Sequence, residues 1–431
     1  MLFFVLLIVP VVSAQEVAEV VKVRTRVVFM DALVKDKRTG INISDLNAEN
    51  FEVLDDGQPR KISYFTREGQ ARKPLALVLI LDLRDDGAGR YLKREEVRRA
   101  MLDELAKLPE GDEVAILAIN LNSVDDKTAA IRNDKAMWLT EFTRDRGQLD
   151  AALARVPALI APKPEQPATE AAKEDQKTSA KGHASVNVTS DSDQKKAGDK
   201  TQPKPDANVV ETETIKGKNG AVITRTIMKD GSVNVKRVSK NGDVTIQLDD
   251  IYDMAGATRD ATHLAEEKRP NSQAAIVWLS DGIAPIFYED RDATEQILIR
   301  QNAIFNTLTV DMRTLYKFLV PLGQPLIGWT GISLAGSAKR LAQQSGGEAV
   351  HVGRVRDYGA GLAKIIGNLT ARYSLGFALR EDEKDDGRMH QLDLRVKALD
   401  AKGNPRKLDV SARKGYYVPK GDADQASAAV K

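Results

Sequence analysis

Two stretches of this chain are apolar without alternation. Leu75, Leu77, Val78, Leu79, Ile80 and Leu81 form one run; Ala274, Ala275, Ile276, Val277, Trp278 and Leu279 form the second. A strand with one wet face alternates, whereas a strand buried on both faces reads as a continuous apolar run and belongs to a parallel sheet covered by helices. Both runs stop abruptly. Asp82-Leu83-Arg84-Asp85-Asp86-Gly87 follows the first and Ser280-Asp281-Gly282 the second. Ligands of open α/β sheets bind beyond the carboxyl ends of the strands. Two acidic loops at those ends can therefore bring Asp82, Asp86 and Asp281 to one rim.

The segments around these runs switch to helical spacing. Leu92, Val97, Met101, Leu102, Leu105 and Leu108 predict a helix over residues 91–108, closed by Pro109-Glu110-Gly111-Asp112 before an apolar strand at 113–120. A short helix ends near 150–156. Further helices are predicted at 251–268, 293–306, 334–344 and 357–369, with strands at 307–314 and 348–352. Ser345-Gly346-Gly347 reads as a helix stop. Regular strand–helix–strand units call for an α/β fold: a doubly wound, mostly parallel sheet with helices on both faces, here spanning residues 74–371.

Alternation returns at the two ends. Val21, Val23, Thr25, Val27 and Phe29, then Ala32 and Val34, predict one or two strands, and Phe51-Glu52-Val53-Leu54 predicts another. Asp56-Gly57 is hairpin-turn chemistry leading into Lys61-Ile62-Ser63-Tyr64-Phe65. Leu392, Leu394, Val396 and Ala398 alternate as a half-buried strand near the other end. Neither unit buries much core alone. Residues 20–72 and 372–418 are therefore expected to join in one β-sandwich, with 419–431 as a loose tail.

The segment between Phe142 and Tyr252 contains no aromatic residue. Residues 157–208, rich in Pro, Lys, Glu, Ala and Ser, are expected to be disordered, because they hold too little apolar surface to offset ordering entropy. Residues 209–248 differ. Lys218-Asn219-Gly220, Lys229-Asp230-Gly231 and Lys240-Asn241-Gly242 recur every 11 residues between β-branched runs, which predicts a thin, mobile four-stranded meander with type I′ turns.

Charge and composition narrow the partners. With 64 basic and 62 acidic residues in 431, the net charge is +2, so nothing pulls the chain toward nucleic acid or a membrane surface. Cysteine is absent, which excludes disulfides, thiolate metal sites and a cysteine nucleophile. Leu2 to Val12 is too short to span a bilayer, and Val12-Ser13-Ala14 suits signal peptidase. Residues 1–14 are read as a signal peptide, the alternative being a buried first strand. The expectation is an exported protein, periplasmic or extracellular, with no stable membrane insertion.

The strand ending at Asp82, the later Leu279-Ser280-Asp281-Gly282 and the flanks resemble the von Willebrand factor A-related proteins of acidobacteria. Leu46-Asn47-Ala48-Glu49-Asn50-Phe51 is similar to that family's Leu-x-x-x-Asp-Phe turn. Arg372-Tyr373-Ser374-Leu375-Gly376-Phe377, Gly387-Arg388-Met389-His390-Gln391-Leu392 and Ala412-Arg413-Lys414-Gly415-Tyr416-Tyr417 resemble its closing β segment. The resemblance covers nearly all the chain outside residues 157–245. It implies an A-type domain flanked by β segments, and a metal-ion-dependent adhesion site built from an Asp-x-Ser-x-Ser loop, a Thr and the Asp of a (Ser/Thr)-Asp-Gly. Asp82 and Asp281 match, Arg84 and Asp86 replace the two serines, and Thr245 falls loosely where the Thr belongs.

Two readings of this rim follow. Asp82, Asp86 and Asp281 could hold Mg²⁺ or Ca²⁺, which prefer carboxylate oxygen. Alternatively Arg84 supplies the positive charge itself, through a charge-assisted pair with Asp82 or Asp281. The second leaves a degenerate site without a cofactor and makes Asp82, Arg84, Asp85, Asp86 and Asp281 a ligand-binding rim. Catalytic chemistry finds no support. Arg84 stands where strand-ending Asp-x-Asp phosphotransferases place a general acid, and a guanidinium donates no proton near neutral pH. His183, His263, His351 and His390 lack metal spacing, and neither a phosphate-binding Gly-Lys loop nor a Gly-x-Ser-x-Gly elbow is present. The expected function is non-enzymatic binding of a protein or cell-surface ligand; the alternative is a metal-independent scaffold or assembly component of the envelope.

Overall fold

The computed structural model describes residues 26–67, 72–84, 88–119, 136–160, 184–189, 208–217, 220–228, 233–239, 242–248, 254–282, 286–310, 332–333 and 336–418. The first stretch of the chain, read above as a signal peptide, and the tail after 418 lie outside these residues.

At the centre is a six-stranded sheet in the order Ala349–Val352, Ile304–Val310, Gln273–Ser280, Leu75–Asp82, Glu113–Ile119, Ala136–Thr143. Its first five strands run parallel, and Ala136–Thr143 joins antiparallel at the edge. All eight residues of Leu75–Asp82 are buried, which is why that strand shows no alternation. Its odd residues, Leu75 to Leu81, pack with Val97, Met101, Leu362 and Ile365 from helices Glu95–Leu105 and Tyr358–Thr370. Val78 and Ile80 point the other way, to Met254, Ala261 and Leu341 of helices Met254–Lys268 and Ser337–Ser345. The fold is a mixed α/β architecture with a parallel-rich sheet and helices on both faces.

Several boundaries differ from the sequence expectation. Ala136–Thr143 was not foreseen, because an edge strand with half-exposed residues carries no continuous apolar run. The helix expected at 293–306 occupies Tyr288–Arg300, and its strand follows at Ile304–Val310 rather than 307–314. Asn302, at φ 50°, turns the chain between them. The helix stop at Ser345-Gly346-Gly347 is present, with Gly346 at φ 82° and its N–H on Ala342 O.

Within the region expected to be disordered, 157–208, two described stretches form regular structure. Val156–Leu159 is a helical turn ending on buried Ile160. Ala184–Thr189 pairs antiparallel with Gly242–Leu248, making the meander a five-stranded sheet. Its Ser-Val-Asn-Val-Thr pattern is short but β-branched, and an open sheet edge offers unpaired backbone groups to such a segment. Nor does the meander lack anything to bury. Ile223, Arg225, Val235 and Arg237 share one buried face, and that face docks onto helix Tyr288–Arg300. Arg237 Nη2 and Nε meet Glu289 Oε1 at 2.8 and 3.1 Å. Arg225 Nη2 reaches Asp290 Oδ2 at 2.5 Å, while Arg259 Nη1 takes Asp290 Oδ1 at 2.7 Å. The acids at the helix start, which read as loop, are held in place by arginines from elsewhere in the chain.

The two ends pair with each other. Val27–Asp36 runs antiparallel to Tyr373–Ala378 and to Leu408–Ser411, and Tyr373–Ala378 also pairs with Ile62–Thr66. In a second sheet Phe51–Asp55 pairs with His390–Val396 and Gln58–Arg60, and His390–Val396 pairs with Gly415–Tyr416. Val28, Met30, Phe51, Val53, Tyr373, Leu375, Phe377, Leu392 and Tyr416 from both sheets form one apolar cluster. Two buried arginines tie these segments to the central domain. Arg372 Nη2 donates to Gly346 O at 2.8 Å, and Arg413 donates to Ile299 O at 3.2 Å and to Phe29 O. Burial pushes Arg413 down to about 10, so it stays charged at neutral pH.

Candidate functional site

Strand order places the rim. The chain passes from Leu75–Asp82 to Glu113–Ile119 on one side and later returns to lay Gln273–Ser280 on the other. The order therefore reverses beside Leu75–Asp82, and a crevice opens beyond the carboxyl ends of the strands at such a point. Asp82 ends one of the two strands and Asp281 follows the other directly.

The two carboxylates share a guanidinium. Arg84 Nη2 lies 2.7 Å from Asp82 Oδ2 and 2.8 Å from Asp281 Oδ1, while its Nε lies 3.1 Å from Asp82 Oδ1. Side-chain exposure is 1% for Asp82, 5% for Asp281 and 16% for Arg84, so the pairs are desolvated and charge-assisted rather than surface contacts. Ser280 Oγ adds a hydroxyl 3.0 Å from Asp82 Oδ2 and 3.3 Å from Asp281 Oδ1, and accepts from Gly282 N at 3.2 Å. Gly282 turns there at φ 83°, a left-handed conformation that suits glycine.

The loop carrying Arg84 is held from both sides. Leu83 N donates to Ile119 O at 2.9 Å, extending the parallel ladder by one bond, and Gly89 N donates to Arg84 O at 2.9 Å. A Cβ on Gly89 would lie 2.3 Å from Leu83 O and 2.6 Å from Arg84 O. Both are backbone atoms, so Gly89→Ala must shift the loop. We expect a loss of about 1–3 kcal/mol, the usual cost of overpacking, read as a lower urea midpoint with an unchanged m-value.

Below the carboxylates lies Tyr358, fully buried at the start of helix Tyr358–Thr370 and close to Tyr91, at 6.4 Å between ring centroids. Among the described residues its hydroxyl finds no hydrogen-bond partner. Burial, and then the negative charge of Asp82, push its pKa well above the ordinary phenol, so it stays neutral. The sequence analysis did not single out Tyr358. The signal was there: Tyr358 precedes Leu362 by four residues, on the inward face of the same predicted helix.

Of the residues assigned to the rim, the fold brings together Asp82, Arg84 and Asp281. Asp85 and Asp86 lie outside the described residues. Thr245 belongs to a different sheet, where it pairs with Lys236 and Asn187 in the meander. Among the histidines, His351 Nδ1 lies 3.2 Å from Thr309 Oγ1 near the parallel sheet, His263 is exposed on a helix, His390 lies in the flanking sheets, and His183 is outside the described residues.

No protein-family model matches the sequence, and no curated protein matches it. Among solved structures the chain aligns with a von Willebrand factor type A protein from Catenulispora acidiphila at 10% identity and a TM-score of 0.34, over 87% of this chain and 74% of that one. It also aligns with the open conformation of the pilus adhesin SpaC from Lactobacillus rhamnosus GG, at 8% identity and a TM-score of 0.36, over 86% of this chain and 48% of that one. A third alignment is to the human COPII-coat protein Sec24c, at 8% identity and a TM-score of 0.32, over 82% and 45%. The chain thus spans about half the length of the adhesin and of the coat protein. At these scores the alignments carry no argument for function, which has to come from the rim itself.

Proposed function

We propose that this chain is an exported, non-enzymatic interaction module of von Willebrand A type, which binds a protein or cell-surface partner through the rim at Asp82, Arg84 and Asp281 without a metal ion. One observation carries the reading: the Arg84 guanidinium bridges both carboxylates at the strand-order switch. Asp82 and Asp281 are the residues a divalent cation needs, and a positive charge 2.7–2.8 Å from both opposes its entry. The donor set therefore does not fit Mg²⁺ or Ca²⁺, and Arg84 does internally what the ion does in an adhesion site. Its side chain keeps 16% exposure at the rim. The flanks, in this reading, form a β-sandwich that supports the module. Export rests on residues 1–14, and the acidobacterial affinity rests on the terminal motifs. Among the described residues no helix is long and apolar enough to cross a membrane.

The test is a melting series with Mg²⁺. An ion bound at a hundredfold excess over its Kd would add about 2.7 kcal/mol. The native chain is expected to show no rise, whereas Arg84→Ser, which removes the competing charge and adds a hydroxyl, should gain one. In capture experiments from periplasm or culture medium, EDTA should not change what the native chain retains. A Mg²⁺-dependent rise in melting temperature of the native chain would overturn the proposal in favour of cation-dependent adhesion.

A further inference from the structure

A second cluster of metal-ligating groups lies in the flanking sheets, away from the switch-point strands. The Asp56-Gly57 hairpin, with Asp56 at φ 47° and Gly57 at φ 81°, places Asp55 and Asp56 at the end of strand Phe51–Asp55. His390 begins the neighbouring strand, and Asp56 N bonds Gln391 O at 2.9 Å while Gln391 N bonds Asp56 Oδ1 at 2.9 Å. The turn is thus locked onto the strand that carries the histidine. His390 Nδ1 lies 3.0 Å from Asp56 Oδ2 and 4.0 Å from Asp55 Oδ1, and one ligand atom from each residue falls within 4.8 Å of the others.

A further observation points to a ligand. The Asp55 side chain is only 3% exposed, yet among the described residues its Oδ1 has no hydrogen-bond donor. The other oxygen is fully used, taking Arg60 Nη2 at 2.7 Å and the Tyr416 hydroxyl at 3.0 Å. A buried carboxylate oxygen is ordinarily satisfied. This one faces His390 across a 4.0 Å gap too long for a hydrogen bond. On the far side of the ring, Nε2 lies 3.4 Å from Asp386 Oδ1 without a hydrogen bond between them, which leaves the tautomer that presents Nδ1 as a lone-pair donor open to the ion. The Tyr416 ring stacks on the imidazole at 5.0 Å and sets its plane. The group opens onto a cleft of about 830 Å³, which gives an ion access.

We propose that Asp55 Oδ1, Asp56 Oδ2 and His390 Nδ1 bind a divalent transition-metal ion of the zinc class, with solvent completing the shell. Imidazole with carboxylates suits such an ion better than Mg²⁺ or Ca²⁺. Tetrahedral bonds of about 2.0–2.2 Å place ligand atoms about 3.3 Å apart, between the two distances seen here. Arg60 and Arg388 bond this group of four acids, Asp55, Asp56, Glu383 and Asp386, and the ion takes the place of Arg388 on Asp56 Oδ2. Arg60 joins Asp55 Oδ2 to Glu383, and Arg388 joins Asp56 Oδ2 at 2.9 Å to Asp386 Oδ2 at 2.7 Å. Neither bonds Asp55 Oδ1, whereas at the rim the arginine occupies the gap between the carboxylates. The ion would staple the hairpin to a strand 334 residues later.

Co²⁺ is the probe, since its visible absorption reports coordination. Titrated into the full chain, it should saturate at one equivalent and be displaced by Zn²⁺. His390→Ala should abolish the signal. Asp56→Asn, which takes the charge from one ligand at an exposed turn whose φ of 47° asparagine tolerates, should weaken affinity about tenfold or more with an unchanged far-UV spectrum. Absence of a saturable signal from the native chain overturns the proposal, as does full binding by folded His390→Ala. Should His390→Ala fail to fold, unchanged Co²⁺ affinity in Asp56→Asn overturns it instead.

Discussion

Arg84→Ala is expected to destabilise the protein by about 3–5 kcal/mol, the cost of breaking a buried ion pair by removing one partner. The loss is large because one guanidinium bridges two carboxylates that are only 1% and 5% exposed. The companion measurement is the pH dependence of the variant. Burial and the loss of the bridging positive charge both favour the protonated carboxylate, so Arg84→Ala should recover part of its stability as the pH falls toward 4, where the native chain should not. Chemical denaturation at pH 7 and pH 4.5 separates the two. A loss below 1 kcal/mol at neutral pH would mean that the carboxylates are solvated and that Arg84 is a surface residue.

The second large effect belongs to the meander. Glu289→Ala leaves Arg237, 8% exposed at its side chain, with Ser239 Oγ at 3.0 Å as its remaining side-chain partner among the described residues. A similar penalty of about 3–5 kcal/mol applies. Here the chain has an escape the rim lacks, because the insertion can leave helix Tyr288–Arg300 and return Arg237 to water. We therefore expect proteolysis within 209–248 to accelerate roughly in proportion to the population of the undocked state, while the central sheet keeps most of its stability. The paired change Glu289→Leu with Arg237→Leu should restore protection, since a buried ion pair exchanged for apolar packing is often neutral or better. Equal protease sensitivity in the native chain and Glu289→Ala would show that the meander is not held by this pair.

Both effects concern charges that looked unremarkable in the sequence. Arg225 and Arg237 alternate with β-branched residues as any solvated strand face would, and Glu289-Asp290 reads as a polar loop. Their burial follows from docking one sheet face on one helix end, where each guanidinium meets a carboxylate from another segment. Arg84 was the exception. It stands two residues after Asp82, so a contact between them was within reach of local geometry, and the pair with Asp82 or Asp281 was among the expected readings.

The sequence by itself determined the elements whose burial is complete. Leu75–Asp82 and Gln273–Ser280 had to be apolar throughout because both faces are covered, and that requirement is visible residue by residue. The Asp56-Gly57 turn and the stop at Gly346 were equally legible, since left-handed backbone selects its residues locally. The tertiary structure alone decided the edge strand Ala136–Thr143, the addition of Ala184–Thr189 to the meander, and the burial of Tyr358 beneath the rim. It alone brought His390 to Asp55 and Asp56. An edge strand and a cross-chain cluster share a property: what stabilises them is supplied by a partner distant in sequence, and a charged or half-polar residue gives no local sign of the partner it will meet.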